Sequence, residues 1–415
     1  MKDRLTERFC RYVRVHTSSD ENSTTQPSTE RQFDLAELLV KEMHEIGISD
    51  AAVDEKCNVT GHIPACEGCE NAPAIGFIAH LDTVSDFCSR GTVPVLHYDY
   101  DGGDITLSES GRVLSPSEFP ELYELKGRTV ITSDGITVLG ADDKAGIAEI
   151  ITMADEIIKN DIPHGRICIA FTPDEEIGGG AQTLDLEAFG ADFAFTADGD
   201  TEGTIEYENF NACSASVVFT GVNVHPGSAK DVMVNAACAA AEFNSMLPET
   251  ETPRNTEGYE GFYHLVSMSG AVESAKLYYI VRDHDELKFA ERKKVLNDIA
   301  SELNGKYGDG TVKIEIKDSY RNMIEKIRPH MHLIEHAKEA IIKTGLVPSV
   351  KPVRGGTDGA QLSFRGLPCP NLGTGGHAFH GPYEYISVEG MESAAQILIN
   401  IASGYAGFSP EEQRK

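Results

Sequence analysis

The sequence predicts an α/β protein built on a largely parallel sheet, with a smaller α+β domain inserted into it. Three observations predict this. Apolar runs ending in ionisable residues alternate with segments of helical spacing, which is how strand–helix–strand units read. Within 211–318 the order becomes β-α-β-β-α-β, a split ferredoxin-like unit. Beyond it the strand–helix pattern returns. The main domain is therefore discontinuous, 1–210 and 319–415, and 211–318 is the insertion. A chain of 415 residues has room for about two to three domains, and 40% hydrophobic residues supply a core.

Each element has its own signal. Residues 3–15 and 29–46 place apolar side chains at helical spacing, as at Phe33, Leu35, Leu38, Leu39 and Met43. Thr29 and Gln32 stand where a capping box would start the second helix, and Gly47 stands at its stop. The polar stretch Thr17–Ser28 reads as a loop, and short strands follow at Ala52–Val53 and Asn58–Ile63. Ala74-Ile-Gly-Phe-Ile-Ala-His80 is a buried strand that runs on into Leu81-Asp82-Thr83. Residues 86–128, rich in Gly, Pro, Ser and acids, read as an irregular insertion with short β pieces. Leu139-Gly-Ala-Asp-Asp-Lys-Ala-Gly146 opens a helix from Asp143 to about Lys159, with Asp142 at its entrance, where a carboxylate ordinarily caps. The strand Ile167–Phe171 leads into Thr172-Pro-Asp-Glu-Glu-Ile-Gly-Gly-Gly180, and Phe193–Ala197 delivers Asp198.

In the insertion, Ser214–Gly221 and Thr311–Ile316 read as strands, and Tyr263–Gly270 and Ala275–Arg282 as a strand pair. Val232–Met246 and Asp285–Asn304 read as helices. Past it come a helix at His332–Lys343, a strand and glycine turn at Val350–Gly359, a loop Cys369–Gly381 carrying His377 and His380, and a closing helix at Val388–Ala402.

The formal charge of −30 argues against nucleic acids and anionic membranes as partners, since both need basic patches. No apolar run reaches the ~18–20 residues of a membrane span, and the N-terminal residues lack a signal-peptide core. These readings place the protein in the cytoplasm. Nine cysteines, mostly in apolar runs, suit reduced core thiols. Cys66-Glu-Gly-Cys69 stands apart. A single CxxC is a weak zinc signal, and the plainer reading is a surface loop with two free thiols.

The ionisable residues at the strand ends form a pattern. His80 and Asp82, two apart in an extended chain, point the same way. Glu175 and Glu176 follow one strand and Asp198 another, at the sheet edge where open α/β folds hold ligands. With Asp142 and one of His377 or His380, the set holds two imidazoles and several carboxylates. Such donors suit zinc, manganese or cobalt; calcium would want more oxygen. They outnumber the needs of one tetrahedral ion and suit two ions roughly 3.5–4 Å apart, bridged by a carboxylate. Such a pair acidifies a shared water and polarises a carbonyl, and a spare carboxylate serves as base. That is the equipment of amide hydrolysis. No nucleophile elbow, P-loop or dinucleotide fingerprint is present.

These motifs, His80-Leu-Asp82, Gly140-Ala-Asp-Asp-Lys-Ala-Gly146, Pro173-Asp-Glu-Glu-Ile-Gly178 and Ala197-Asp198, resemble the zinc aminoacylase and carboxypeptidase family of metallopeptidases. Longer runs, Val224-His-Pro-Gly, Glu257-Gly-Tyr-Glu-Gly-Phe-Tyr-His264, Arg354-Gly-Gly-Thr-Asp-Gly-Ala-Gln-Leu-Ser-Phe364 and Gly366-Leu-Pro-Cys-Pro-Asn371, resemble a branch that cleaves the N-terminal residue from tripeptides. The resemblance implies a di-zinc exopeptidase-like, three-layer catalytic domain with an inserted ferredoxin-like lid. It implies Asp142 as the bridging ligand, His80 and Asp198 on one zinc, and Glu176 and His380 on the other. His377 is a departure from the family pattern and a competing ligand. Glu175 becomes the general base on the metal-bridging water, and Asp82 orients His80. His225 would help polarise the scissile carbonyl. Arg282 and Arg354 would grip the tripeptide's C-terminal carboxylate, so that their distance from the metals measures the substrate. Relatives with such a lid often pair through it, which implies a homodimer. Other readings are a dipeptidase, carboxypeptidase or N-acyl amino acid deacylase of the same family, and a peptide binder without catalysis, which would have no use for Glu175.

Overall fold

The computed structural model describes residues 1–408; residues 409–415 of the expected main domain lie outside the described residues. The chain divides into two compact units. The larger comprises Met1–Tyr207, Met323–Lys351 and Thr357–Lys415, and the smaller Glu208–Asn322 with Pro352–Gly356. The short 352–356 segment, expected in the main domain, thus belongs to the smaller unit, where Val353 bridges to Asn209.

The larger unit is organised by an eight-stranded sheet. At its centre Ile75–His80 lies parallel to Ile167–Thr172 on one side and to Phe193–Gly199 on the other. Asn371–Gly373 continues in parallel beside Phe193–Gly199. The sheet is mixed, however, rather than largely parallel. Val59–Ile63 joins antiparallel to Ile167–Thr172, and Thr204–Glu206 joins antiparallel to Asn371–Gly373. A short return strand needs only a tight connection, whereas a parallel one needs a crossover, so sheet edges accept antiparallel partners readily.

The central strands are buried on both faces, and their alternation decides which layer each side chain enters. Ile167, Ile169 and Phe171 face a core shared with the helices Lys2–Tyr12, Gln32–Ile46, Ala141–Lys159, His332–Lys343 and Val388–Gly404. Cys168 and Ala170 face the other way, against Leu184, Phe189 and Leu362. Three layers follow: helices, sheet, and a thinner covering of short helices. Each fully buried Phe or Leu contributes about 1.5–3 kcal/mol, so Phe171 and Phe195, both at 0% exposure, pin two of the strands that carry the ionisable ends. The helix Ala141–Lys159 is buried almost throughout. A Cβ on its Gly146 would lie 1.9 Å from the Ala197 carbonyl oxygen, so only glycine lets this helix close onto the strand that ends at Asp198.

The 86–128 stretch contains the strands Val95–His97, Ile105–Thr106 and Val113–Leu114 and a 3₁₀ turn at Pro120–Leu125. It closes its own small core around Tyr100, Leu107, Leu114 and Leu122.

The smaller unit is an antiparallel four-stranded sheet in the order Phe262–Gly270, Ser274–Asp283, Asn211–Thr220, Val312–Tyr320. The helices Ala236–Ser245 and Glu286–Tyr307 supply Ala239, Phe243, Leu296 and Leu303 to its core. Connectivity β-α-β-β-α-β with this strand order is the ferredoxin-like arrangement. Asn235 and Asp285 cap the two helices through their side chains. Among the described residues, no helix is long and apolar enough to cross a membrane.

Candidate metal centre

Parallel register gathers the ionisable residues. His80 pairs with Thr172 at the ends of adjacent strands, and Ile78 pairs with Thr196, which brings Asp198 level with His80. His80 Nε2 lies 2.9 Å from Asp142 Oδ1 and 3.4 Å from Asp198 Oδ1. His380 Nε2 lies 3.0 Å from Asp142 Oδ2 and 3.2 Å from Glu176 Oε2. Asp142 therefore presents one oxygen to each imidazole. Donor atoms of His80, Asp142 and Glu176 fall within 4.8 Å of one another, as do those of His80, Glu175 and Asp198.

Asp142 is not the helix cap that its position in the sequence suggested. Its backbone is non-helical, and Gly140, in a left-handed conformation, stands at the N-cap. A second buried acid explains the geometry. Glu384 accepts N–H bonds from Gly140 at 2.7 Å and from Asp142 at 3.0 Å. The loop that carries His380 thus also grips the turn that carries Asp142. Asp143 accepts the His80 N–H at 3.0 Å and the Gly146 N–H at 3.2 Å.

Asp82 is fully buried and has two partners. Its Oδ1 lies 3.3 Å from His80 Nδ1, and the same ring nitrogen lies 3.0 Å from the Asp82 carbonyl. Its two carboxylate oxygens accept the Glu175 and Glu176 N–H groups at 2.9 and 3.2 Å. One side chain fixes both a metal-type imidazole and the backbone of the adjacent glutamates.

The expected capping box at Thr29 and Gln32 does not form, because tertiary partners claim both side chains. Thr29 Oγ1 donates to the Ser18 carbonyl. Gln32 donates to Asp174 at 2.7 Å, and Asp174 also accepts from the Ser28 N–H at 2.7 Å and the Ser28 hydroxyl at 2.5 Å. Asp174 sits at φ 60°, so this clamp holds the left-handed turn that precedes Glu175. Beneath the same loop, buried Asp358 accepts from Thr172 at 2.9 Å and from the Ala181 N–H at 3.1 Å. Asp143, Asp174, Asp358 and Glu384 were not singled out from the sequence. The local signal for Asp143, Asp174 and Glu384 was a place beside, or a few residues from, a motif acid or histidine; Asp358 lay within the Arg354–Phe364 run.

The electrostatics are those of crowded carboxylates. Burial, then the Asp142 charge, pushes Glu176 up to about 11. Burial, then Asp198, pushes Glu175 well above the carboxylate range. Burial raises Asp198 to about 6 against the pull of His80. Burial alone would raise Asp142, but hydrogen bonds from His380 and His80 hold it low. Glu176 Oε1 is buried with no hydrogen-bond partner. Two imidazole nitrogens, four acids beside them and an orphaned carboxylate oxygen together fit a pair of divalent cations.

His377 lies in a different environment. Its ring stacks on Tyr385 at 4.9 Å, and burial lowers its pKa. The loop therefore offers His380 to Asp142 and Glu176, and His377 to an aromatic partner.

The three remaining candidates belong to the smaller unit. His225 is exposed and accepts the Gly227 N–H at 3.1 Å. Arg282 donates to the Arg354 carbonyl at 2.8 Å, while its Nε is buried without a hydrogen-bond partner. The Arg354 guanidinium donates to the carbonyls of Gly258 and Glu260 and to Thr256. In this conformation it braces the 256–260 loop.

A model of peptidase family M20/M25/M40 matches residues 138–403. Peptidase T of Caldanaerobacter subterraneus subsp. tengcongensis is 52% identical over 404 residues, covering 97% of this chain and 98% of its own. Peptidase T of Geobacillus thermodenitrificans is 52% identical over 403 residues, covering 97% and 98%. Among solved structures, aminopeptidase PepT from Bacillus cereus superposes with a TM-score of 0.76 at 23% identity, over 98% of this chain and 99% of its own. A Bacillus subtilis protein described as a dinuclear metal binding peptidase of the M20 family gives a TM-score of 0.67 at 16% identity, over 98% of each chain. These two structural likenesses speak to the fold.

Proposed function

We propose that this chain, which belongs to peptidase family M20/M25/M40, releases the N-terminal residue of tripeptides by di-zinc hydrolysis. The observation that carries the reading is Asp142, which presents one carboxylate oxygen to His80 and the other to His380. The whole-length relatives named peptidase T support the substrate class.

His80, Asp142 and Asp198 would hold one ion, and Asp142, Glu176 and His380 the other. When bound, such a pair supplies a Lewis acid that acidifies water and polarises the scissile carbonyl. Glu175 takes a proton from the attacking water and returns it to the leaving amine, a role that suits a buried carboxylate with a raised proton affinity. Asp82 keeps His80 oriented and fixes the Glu175 N–H, so the base and the ligand imidazole share one support. His225 assists at the carbonyl. Arg282 grips the substrate's terminal carboxylate, and its partnerless Nε supports that role. Arg354 completes the grip by releasing the 256–260 loop.

The test is release of the N-terminal residue from one tripeptide beside its dipeptide, tetrapeptide, N-acetyl and C-terminal amide counterparts. Each is run with chelator and again after zinc, manganese or cobalt is restored. Zinc-restored cleavage confined to the free tripeptide is expected. Cleavage of the acetylated peptide, or equal cleavage of dipeptide and tripeptide, would assign a sister activity. Equal cleavage of the amide, or an Arg282→Ala variant with unchanged length preference, would remove the arginine grip.

A further inference from the structure

The Cys66-Glu-Gly-Cys69 motif takes no part in the chemistry above, yet it is a built structure. The Cys69 N–H donates to the Cys66 carbonyl at 2.9 Å, closing a turn that brings the two side chains to one side. Gly68 sits at φ +86°, and a Cβ added there would meet no heavy atom within 4 Å, so the turn is set by backbone conformation and not by packing. The Cys66 sulfur accepts the His164 N–H at 3.1 Å, and its own thiol donates to the His164 carbonyl at 3.1 Å. Both cysteines are partly exposed.

When Cys66 loses its proton the bond to the carbonyl goes, and the His164 N–H stays on its sulfur. The Cys69 thiol is raised, first by its pairing with Cys66. The geometry makes Cys66 the attacking sulfur and Cys69 the resolving one. The surroundings are acidic. Glu67 and Glu70 are exposed, and the Glu70 carboxylate is tied to the Gly68 N–H at 3.1 and 3.2 Å. The buried thiols differ. Burial pushes Cys168 up to about 11 and Cys213 up to about 12, and raises Cys57 and Cys369 further.

We propose that Cys66 and Cys69 form a thiol–disulfide exchange site that accepts small cationic disulfides. The Cys66 thiolate attacks one sulfur of the small disulfide. A Cys66–sulfur bond forms, the small disulfide breaks, and one small thiolate leaves and takes up the proton lost by Cys66. Cys69 then gives up its proton, and its sulfur attacks Cys66 and expels the second small thiolate, which takes up that proton. Two protein thiols are oxidised to one disulfide, and one small disulfide is reduced to two thiols.

The test treats the intact protein, without oxygen, with cystamine and separately with the anionic 3,3′-dithiodipropionate. Free thiols are counted and modified peptides mapped by mass. Cystamine should remove two thiols per chain, both from the 66–69 peptide, with no cysteamine retained and full recovery on reduction. Cys69→Ser should hold one cysteamine on Cys66. Cys66→Ser should react several-fold more slowly, at Cys69, because the sulfur that receives the His164 N–H is gone. Cystamine should outpace the anionic reagent at low salt, and the gap should close as salt rises. A stable cysteamine adduct on the unmodified pair would overturn the resolving role. Reaction at exposed Cys238 with the 66–69 pair left reduced would overturn the site. Equal rates for the two reagents at low salt would overturn the preference for cations.

Discussion

Two regions of the larger unit bury carboxylates, and they do so in opposite ways. Near the N-terminus, Glu42 meets Arg8 at 2.7 Å, the Tyr12 hydroxyl at 2.6 Å, and Arg11. Asp155 meets Arg8 at 2.9 Å and Arg4 at 2.7 Å. Burial would raise Glu42, but the hydrogen bonds of Arg8 and Tyr12 outweigh it and hold Glu42 below the usual carboxylate value of 4.5. At the sheet edge Glu175 and Glu176 are raised instead, because their neighbours are other acids. The first cluster carries its own cations in fixed guanidinium groups. The second is built to receive cations from outside. Burial alone does not separate structure from function here; what faces each carboxylate, a fixed guanidinium or another acid, does.

Breaking the receiving cluster should cost most. Glu175→Gln keeps the side-chain volume and the Asp82 contact to the backbone but removes the proton acceptor. A loss of about 10²–10⁴-fold in kcat is expected with two metals still bound. Steady-state kinetics beside metal analysis check it, and kcat within a few-fold of the parent would dismiss Glu175 as the base.

Glu384→Gln touches no imidazole and leaves every proposed ligand in place. It weakens the hold on the Gly140–Asp142 turn. Metal affinity should fall about 10–100-fold, the usual cost of losing a group that orients a ligand. Competition with a chelator measures this, and unchanged affinity would show that the turn holds itself.

The self-balanced cluster should respond in stability and not in metal binding. Arg8→Met leaves Glu42 and Asp155 half-neutralised and should cost roughly 3 kcal/mol by chemical denaturation. Metal content should not change. The pH dependence has a definite sign. A carboxylate whose folded pKa is depressed stabilises the fold above its unfolded pKa and loses that contribution as pH falls through its folded value. Below about pH 4.5, Glu42→Gln should therefore lose less stability per pH unit than the parent. Parallel melting curves for the two proteins would contradict the assignment.

The smallest effect belongs to a pair with neither burial nor crowding. Lys294 and Asp298, 2.7 Å apart on an exposed helix face of the smaller unit, are screened by solvent and contribute little to stability. Lys294→Ala should shift the melting temperature by no more than about a degree or two. A larger shift would mean that surface charge matters here more than the contrast allows.

Much of the fold was legible because its signals are local. The run Ile167–Phe171 is apolar on both faces, and Gly47 ends its helix in the left-handed conformation at φ 107°. His80, Glu175, Glu176 and Asp198 each stand at or just beyond a strand end, so the strand pattern alone placed them at one edge. The supports of the site were not legible. Glu384 reaches Gly140 and Asp142 across 244 and 242 residues of chain, and Asp174 reaches Gln32 across 142. A local reading assigned Gln32 to a helix cap and Asp142 to another. Tertiary partners took both, because a buried carboxylate must find its hydrogen-bond donors inside the protein.

The sequence by itself determined which residue types stand where strands end, and therefore that carboxylates and imidazoles would meet at one sheet edge. It also determined the β-α-β-β-α-β order of the smaller unit, since hydrophobic period and turn residues are properties of neighbouring positions. Only the tertiary structure decided that the sheet is mixed, that His380 and not His377 faces Asp142, and that Arg354 spends its donors on the 256–260 loop. Those outcomes depend on which distant groups compete for the same hydrogen-bond partner, and a sequence records no such distances.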